Sequence, residues 1–211
     1  MVVRYRGMAV FPGHPCRLST MGLMRFIREF ATNPSGIGAI APSSGFLAEE
    51  VLRDLDLAHA DSVLEYGPGT GALTGYLLTE VSPQCQLVAI ERNSRFATEL
   101  KTRFPGLTVH DGSVADVRDI CDQHSIATVD CIVSGLPWAA FSPEMQKTFL
   151  DAMMTVLKPG GQFATFAYLQ GMLVPAGQRF AALLPDYFSE VKRSRVVWRN
   201  VPPAFVYRCR R

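Results

Sequence analysis

Long hydrophobic runs are missing from this chain of 211 residues. No stretch approaches the roughly 20 consecutive apolar residues that a membrane-spanning helix needs, so we expect no transmembrane segment. The first apolar pieces are short and are broken by Pro12, Gly13 and Pro15, and we therefore expect no signal peptide. Charged residues are also few, at 19% against 48% hydrophobic residues. This composition excludes a disordered chain or a coiled coil and is typical of a globular domain with a buried core.

Cysteines are scarce, and their spacing does not pair them. The five cysteines are Cys16, Cys85, Cys121, Cys131 and Cys209. No two of them form a CxxC motif, and an odd number of widely spaced cysteines argues against both a disulfide framework and a zinc site. We therefore expect a protein of the reducing cytoplasm that holds no metal.

Charge is unevenly distributed along the chain, although the formal net charge is only +2. Residues 1–40 hold five arginines and one glutamate, and residues 191–211 hold one lysine and six arginines with no acid. The segment between them is acidic. Basic ends of this kind favour an anionic partner surface, either a membrane or a nucleic acid. Solvated terminal charge is the alternative interpretation.

Residues 21–33 carry the pattern of an amphipathic helix. One face would present Leu23, Met24, Phe26, Ile27, Phe30 and Ala31, and the opposite arc Arg25, Arg28, Glu29 and Thr32. We expect such a helix to pack on the core as a lid, to lie in a membrane interface, or to do both in turn. A loop with glycines at positions 36 and 38 follows it. We divide the chain into an N-terminal extension, 1–42, and a domain, 43–211.

Short apolar runs alternate with helical patterns from residue 62 onward. Strands are predicted at 62–66, 86–91, 107–110, 131–134 and 162–168. Helices are predicted at about 71–81, 94–103, 143–157 and 176–184, and another helix is predicted to begin at residue 113. A turn is predicted at 158–161. The runs 191–198 and 204–209 are joined by a short connection and should pair antiparallel. The prediction is an α/β fold with a seven-stranded, mostly parallel sheet that ends in an antiparallel hairpin.

A glycine-rich turn, with Gly67, Gly69 and Gly71, joins the first predicted strand to the first helix. Glycines let the backbone turn tightly and approach a ligand that a Cβ would exclude. Glu91 ends the second strand, where a carboxylate can accept hydrogen bonds from both ribose hydroxyls of a nucleoside cofactor. The same glycines also fit the dinucleotide fingerprint, and a purely structural turn is a third alternative.

Three features favour S-adenosylmethionine over a nicotinamide dinucleotide. Glu65 precedes the turn, where it would repel a pyrophosphate but attract a sulfonium and an α-amino group. Asp111 and Gly112 follow the third strand, where a carboxylate can accept a hydrogen bond from an adenine amino group. The terminal hairpin is the third feature, because it resembles the sheet of class I methyltransferases.

Several segments together resemble the class I S-adenosylmethionine-dependent methyltransferases, which have a Rossmann-like fold. They are residues 65–71, Glu91, Asp111, residues 130–138 and residues 157–161. Residues 26–30, 38–44, 134–137 and 202–207 further resemble the soluble bacterial phospholipid N-methyltransferases. That family methylates the amine of phosphatidylethanolamine towards phosphatidylcholine, and close relatives methylate ornithine lipids.

The resemblance implies S-adenosylmethionine as cofactor, with S-adenosylhomocysteine as product, and an aminolipid substrate in an anionic membrane surface. The implied cofactor residues are Glu65, Gly67, Gly69, Gly71, Glu91, Asp111, Gly112 and Ser134. Candidates on the substrate side are Trp138 and Tyr168 for positioning the amine, and Arg179, Ser43 and Ser44 for the headgroup. The implied membrane contacts are Arg25, Phe26, Ile27, Arg28 and Phe30. We expect a monomer bound peripherally to the inner face of the bacterial cytoplasmic membrane.

The loop after the fourth strand differs in sequence from the corresponding loop of the enzymes that methylate amino groups of nucleic acids. Gly135 stands where those enzymes have Asn or Asp, and Trp138 where they have Tyr. The missing side-chain carbonyl normally accepts a hydrogen bond from a planar, poorly nucleophilic amino group, whereas a lipid amine needs less help. Methylation of adenine in rRNA or another nucleic acid is therefore the weaker alternative. A catalytically silent, membrane-associated protein that binds S-adenosylmethionine is another.

Overall fold

The structure is a computed structural model that describes residues 45–211. The helices are α1 (Gly45–Leu52), α2 (Thr74–Glu80), α3 (Ser94–Arg103), α4 (Val117–Gln123), α5 (Pro143–Val156) and α6 (Pro175–Tyr187). The strands are β1 (Ser62–Tyr66), β2 (Gln86–Glu91), β3 (Thr108–Asp111), β4 (Val129–Ser134), β5 (Leu157–Tyr168), β6 (Glu190–Arg193) and β7 (Ala204–Arg210). Short 3₁₀ helices lie at Val114–Asp116, Trp138–Ala140 and Leu169–Leu173.

Within these residues, seven strands form one sheet in the order β3-β2-β1-β4-β5-β7-β6. Strands β1 to β5 pair in parallel, and β7 runs antiparallel to both β5 and β6. The predicted α/β architecture with a terminal antiparallel hairpin is confirmed. Because the carboxyl ends of β1 to β5 lie at one edge of the sheet, the loops that follow those strands can share a site there.

Helices cover both faces of the sheet, which explains why its central strands carry apolar residues at consecutive positions. All five residues of β1 are buried. Leu64 packs in a cluster with residues of α4, α5 and α6, and Val63 packs in a second cluster with residues of α1 and α2. Since successive side chains of a strand point to opposite faces, a strand covered on both sides needs apolar residues at consecutive positions.

Side-chain caps are present at the predicted starts of two helices, but only one of these α-helices begins where predicted. The side chain of Ser142 accepts a hydrogen bond from the backbone nitrogen of Met145, and Pro143 opens α5, as the sequence predicts. Ser113 also acts as a cap, but its hydroxyl accepts from Ala115, two residues on, at 3.2 Å. It therefore starts a 3₁₀ turn, and the α-helix begins only at Val117.

Two predictions of local structure were wrong. Residues 158–161 belong to β5, because Leu157 pairs with Val129 and the end of the chain bonds to Gly160 and Gly161. Strand β6 ends at Arg193, because the chain then leaves the ladder with β7. Beyond it, only an isolated bridge at residue 197 remains of the predicted strand 191–198.

Several predictions concern residues outside the described part of the chain. They are the amphipathic helix 21–33, the membrane contacts Arg25, Phe26, Ile27, Arg28 and Phe30, the headgroup candidates Ser43 and Ser44, and the domain division at residue 42. The described cysteines, Cys85, Cys121, Cys131 and Cys209, are free thiols. From residue 45 to residue 211, no helix is both long enough and apolar enough to cross a bilayer.

Candidate active site at the carboxyl edge of the sheet

The ends of β1, β2 and β3 bring the predicted cofactor residues to one edge of the sheet. Tyr66 pairs with Ile90, and Glu91 pairs with Asp111. The backbone nitrogen of Gly67 donates to the carbonyl of Ile90 at 2.9 Å, so the glycine-rich turn begins directly beside β2. These pairings place the turn, the end of β2 and the end of β3 side by side.

The glycine-rich turn depends on backbone conformations and close approaches that other residues rarely allow. Gly67, Gly69 and Gly71 all have positive φ angles, of 64°, 56° and 82°. A Cβ on Gly67 would lie 2.6 Å from Cδ2 of Leu136, and one on Gly71 would lie 2.6 Å from the ring of Phe104. The turn therefore requires glycine at these positions, and its backbone can come close to a ligand that a Cβ would exclude.

The Glu91 carboxylate joins the glycine-rich turn to the end of β2. Its Oε2 accepts a hydrogen bond from the backbone nitrogen of Gly69 at 2.9 Å, and its Oε1 accepts one from that of Asn93 at 2.8 Å. A carboxylate oxygen has more than one lone-pair site, so both oxygens retain capacity for ribose hydroxyls. Arg103 supports the same turn by donating to the carbonyl of Thr70 at 2.8 Å.

Glu65 is a buried acid with an unsatisfied oxygen. Its Oε2 accepts a hydrogen bond from the Thr74 hydroxyl at 2.7 Å, and no residue of the described chain hydrogen-bonds to its Oε1. Burial raises the pKa of Glu65 to about 8, the Thr74 hydrogen bond opposes that rise, and repulsion by Glu91 adds to it. An unpaired buried carboxylate oxygen fits a ligand that brings a cationic group, as S-adenosylmethionine does.

The loop after β4 approaches the glycine-rich turn so closely that position 135 has no room for a side chain. The backbone nitrogen of Gly135 donates to the carbonyl of Tyr66 at 2.8 Å. A Cβ on Gly135 would lie 2.7 Å from the carbonyl oxygen of Gly67. The structure thus gives a packing reason for the residue that departs from the nucleic-acid enzymes, which the sequence alone did not supply.

The side chains of Ser134 and Trp138 are hydrogen-bonded to each other. The Ser134 hydroxyl accepts hydrogen bonds from the indole nitrogen of Trp138 at 3.1 Å and from the backbone nitrogen of Leu136 at 3.2 Å. The indole is buried and stacks on Phe180, with ring centroids 4.5 Å apart. This packing makes Trp138 a structural anchor, and it lends no support to the predicted contact between Trp138 and a substrate amine.

The remaining site candidates of the described chain lie at or near the same edge. Asp111 is exposed at the end of β3, and a Cβ on Gly112 would lie 2.9 Å from the ring of His110. Tyr168 is half-buried at the end of β5. Arg179 is exposed on α6. The structure brings Glu65, Glu91, Asp111 and the glycines together. Tyr168, at the end of β5, lies two strands away from β1 in the sheet.

Comparison with known proteins identifies the family. A family described as "Methyltransferase domain" matches residues 63–161. The ornithine lipid N-methyltransferase of Singulisphaera acidiphila is 32% identical over 188 residues, which cover 88% of this chain and 94% of that protein. This chain belongs to the class I S-adenosylmethionine-dependent methyltransferases. S-adenosylmethionine is therefore the cofactor of this methyltransferase, and the arrangement of Glu65, Glu91 and the glycines fits it.

Other relatives of this methyltransferase are more distant. The dimethyladenosine transferase of Yarrowia lipolytica is 29% identical over 133 residues, which cover 63% of this chain and 40% of that protein. The O-methyltransferase of Bacillus cereus, solved with SAH, has a TM-score of 0.62 at 14% identity and 90% coverage of both chains. The O-methyltransferase TomG of Streptomyces achromogenes, solved with SAM, has a TM-score of 0.60 at 20% identity, with 87% of this chain and 85% of that chain covered. At such identities the solved structures show the shared fold.

Sequence reasoning missed two residues that shape the site of this methyltransferase. Thr74 satisfies one oxygen of Glu65 from the start of α2. Gln146 is buried on α5, and its amide nitrogen donates to the carbonyls of Trp138 at 2.7 Å and Ala176 at 2.9 Å. The bonds of Gln146 fix the 3₁₀ turn after β4 against α6. No sequence motif marks either residue, because both act through contacts between separate elements.

Replacing Glu91 with alanine should weaken the binding of S-adenosylmethionine by about 2 kcal/mol, because the change removes a ribose acceptor and leaves two backbone N–H groups without their partner. Calorimetric titration of the purified variant measures the effect. Glu99→Ala is a matched control, since Glu99 is an exposed acid on α3 that pairs with Arg95. Equal affinities for the Glu91→Ala variant and the unmodified protein would place the cofactor elsewhere.

Proposed function

We propose that this methyltransferase transfers methyl groups from S-adenosylmethionine to the amine of a membrane aminolipid. The substrates proposed are phosphatidylethanolamine with its methylated forms, on the way to phosphatidylcholine, or ornithine lipid. The contact between Gly135 and the carbonyl of Gly67 carries the proposal, since it leaves no room for the side-chain carbonyl of the nucleic-acid enzymes. The relative that shares nearly its whole length with this chain, an ornithine lipid N-methyltransferase, supports the same choice.

The chemistry of the two kinds of amine explains why the loop after β4 discriminates between them. The amino group of adenine is planar and poorly nucleophilic, and a side-chain carbonyl activates it by accepting a hydrogen bond. A lipid amine is tetrahedral and nucleophilic once it has lost a proton. A loop that presents only Gly135 therefore suits an aminolipid better than a base.

S-adenosylmethionine supplies the methyl group when it is bound. The chain's own task is to hold the amine close to the donor in the right orientation and to keep water out, which lowers the barrier mainly by positioning. The amine must also arrive without its proton, although a free primary amine has a pKa near 10. A partly apolar pocket beside a positive charge lowers that pKa.

Tyr168 is the best-placed aromatic side chain for the amine. It ends β5 at the carboxyl edge of the sheet, and its ring meets Phe166 edge to face with centroids 5.6 Å apart. Burial raises the pKa of its hydroxyl, so Tyr168 stays protonated at neutral pH and does not act as a base. Its ring can attract methylammonium products through a cation–π contact. Arg179 remains a proposed partner for the headgroup phosphate.

The membrane side of the proposal rests on residues outside the described chain. The amphipathic pattern of residues 21–33, with Arg25, Phe26, Ile27, Arg28 and Phe30, suits a helix in the interface of an anionic bilayer. This helix stays a prediction, and so do the proposed contacts of Ser43 and Ser44 with the lipid headgroup. The protein is proposed to act as a monomer at the inner face of the cytoplasmic membrane.

Mass spectrometry of total lipids tests the proposal directly. The chain is expressed in a host that makes phosphatidylethanolamine but no methylated lipid, and a second host adds ornithine lipid. Species heavier by one, two or three methyl groups identify the substrate and the extent of methylation together, and Glu91→Ala is the matched negative control. Methylation of rRNA with no methylated lipid would favour the adenine N-methyltransferase. Cofactor binding with no product would favour the silent binding protein.

A further inference from the structure

The loop between β6 and β7 exposes two large apolar side chains. Trp198 is 70% exposed and Val201 is 59% exposed. Phe46, in the first turn of α1, is 48% exposed and lies beside this loop, because the guanidinium of Arg199 sits 4.5 Å from the centroid of its ring. A group of exposed aromatic and aliphatic side chains is a candidate contact surface for a membrane or another protein.

The loop holds these side chains on a fixed backbone. The backbone nitrogen of Ser194 donates to the carbonyl of Val206 at 2.9 Å, and that of Val197 donates to the carbonyl of Ala204 at 2.7 Å. The buried side chain of Asn200 donates to the carbonyl of Pro202 at 2.7 Å. Trp198 and Val201 are therefore presented outward by a folded loop that is bonded on both sides.

Two of the seven basic residues of the C-terminal segment lie in the same loop. Arg195 and Arg199 are exposed, and among the described residues neither forms an ion pair. The arginines near the end of β7 are already engaged. Arg208 pairs with Glu50 at 2.8 Å, and Arg211 donates to the carbonyls of Met154 and Leu157. Arg195 and Arg199 thus place two exposed positive charges in the loop that carries Trp198.

The loop lies at the same edge of the sheet as the candidate active site. Its last residue, Pro203, accepts a hydrogen bond from the backbone nitrogen of Leu169 at 3.0 Å, directly after β5. Ala204 then pairs with Tyr168, the last residue of β5 and the proposed amine contact. A surface that docks through this loop therefore brings its contents to the edge where the substrate must enter.

We propose that Phe46, Arg195, Trp198, Arg199 and Val201 form a docking surface for an anionic lipid bilayer, here called the loop patch. Indole rings favour the boundary between headgroups and acyl chains, and arginines are attracted by anionic lipids. A nucleic acid would use the arginines and a stacked indole but gains little from Val201. The inference rests on the proposed function in one respect: a bilayer at this edge supplies the aminolipid. It adds a second membrane contact to the one predicted at residues 21–33.

Tryptophan fluorescence of the full-length protein tests the loop patch. The chain has two tryptophans, and the other, Trp138, is buried. Vesicles that contain phosphatidylglycerol should shift the emission of Trp198 to shorter wavelength, protect it from acrylamide, and allow quenching by brominated acyl chains. Vesicles of phosphatidylcholine alone should act much more weakly. Trp198→Phe should abolish the shift.

Variants that remove arginines and variants that remove apolar side chains measure the charged and apolar contributions of the loop patch separately. Arg195→Gln combined with Arg199→Gln should lower the partition coefficient onto anionic vesicles by about 25-fold, from about fivefold per arginine. Arg95→Gln combined with Lys101→Gln removes two exposed charges from α3 and should change it little. Trp198→Ser should weaken binding, whereas Leu78→Ser, at an exposed apolar residue of α2, should not.

Three results would each overturn the proposal. The first is an unchanged Trp198 emission when the protein sediments with anionic vesicles. The second is protection from acrylamide in the free protein, which would mean that the chain itself or a second copy covers the patch. The third is a shift with an RNA oligonucleotide but not with vesicles. These readouts need no turnover, so a docked protein that leaves every lipid unmethylated would refute the proposed function alone.

Discussion

Replacing Gly135 with asparagine should reduce the affinity for S-adenosylmethionine by at least a hundredfold, or about 3 kcal/mol. The substitution restores the residue type that the nucleic-acid enzymes carry at this position. Its Cβ would lie 2.7 Å from the carbonyl oxygen of Gly67, and that contact is with backbone, so no side-chain rotation relieves it. Gly67 must then move, and with it the glycine-rich turn at which we expect the cofactor to bind.

A smaller change gives the same test with less added bulk. Gly135→Ala introduces only the Cβ and should lose roughly tenfold or more in affinity, as measured by calorimetric titration. Gly75→Ala is the matched control, because a Cβ there meets only the ring of Phe104 at an ordinary 3.9 Å. Full affinity in the Gly135→Asn variant would mean that the two loops separate freely. Methylation of adenine by that variant would show that Gly135 alone decides the choice of amine.

The strands, and the placement of Glu65 and Glu91 at one edge of the sheet, could be predicted from the sequence because both depend on local patterns. β1 and β2 begin and end at the predicted residues, since each is a short apolar run bounded by polar or turn residues. Once the strands were placed, Glu65 and Glu91 followed, because a residue's position at the end of a parallel strand determines the edge of the sheet it occupies.

Contacts between distant parts of the chain account for what the sequence did not reveal. Pro159, Gly160 and Gly161 favour a turn locally, yet pairing with the end of the chain draws them into β5. Trp138 suits a ligand contact by its position after β4, yet Phe180, on α6, stacks on the indole. Trp198 has a side chain typical of strands, but the ladder between β6 and β7 ends at Arg193. For residues 159–161 and for Trp138, the deciding partner lies far away in the sequence.

Binding of S-adenosylmethionine should strengthen by roughly tenfold for each pH unit from about 6 to about 8 and then level off. Burial raises the pKa of Glu65 to about 8, so the free protein holds this carboxyl neutral at the lower end of that range. A cationic ligand pairs with the charged form, and binding must release the proton. Calorimetry in buffers of different ionisation enthalpy measures both the affinity and the proton released.

The Glu65→Gln variant isolates this effect, because glutamine imitates the protonated acid. Its affinity should be close to that of the unmodified protein near pH 6 and fall roughly 50-fold behind near pH 8. Titration of the ligand's own amino group would appear in both proteins, so an equal pH slope in the two would rule out a role for Glu65.

The same carboxyl should make the stability of the unliganded protein depend on pH. The unfolded chain loses this proton near the ordinary value of 4.5, whereas the folded chain keeps it to about 8. The folded state therefore binds more protons through that window, and the free energy of unfolding should fall as pH rises, by up to about 1.4 kcal/mol per unit. Denaturant titration at a series of pH values measures the slope, which Glu65→Gln should reduce. Because the cofactor pairs with the ionised form of Glu65, saturation with S-adenosylmethionine should also remove this slope. A slope that persists in the liganded protein would mean that Glu65 does not contact the cofactor.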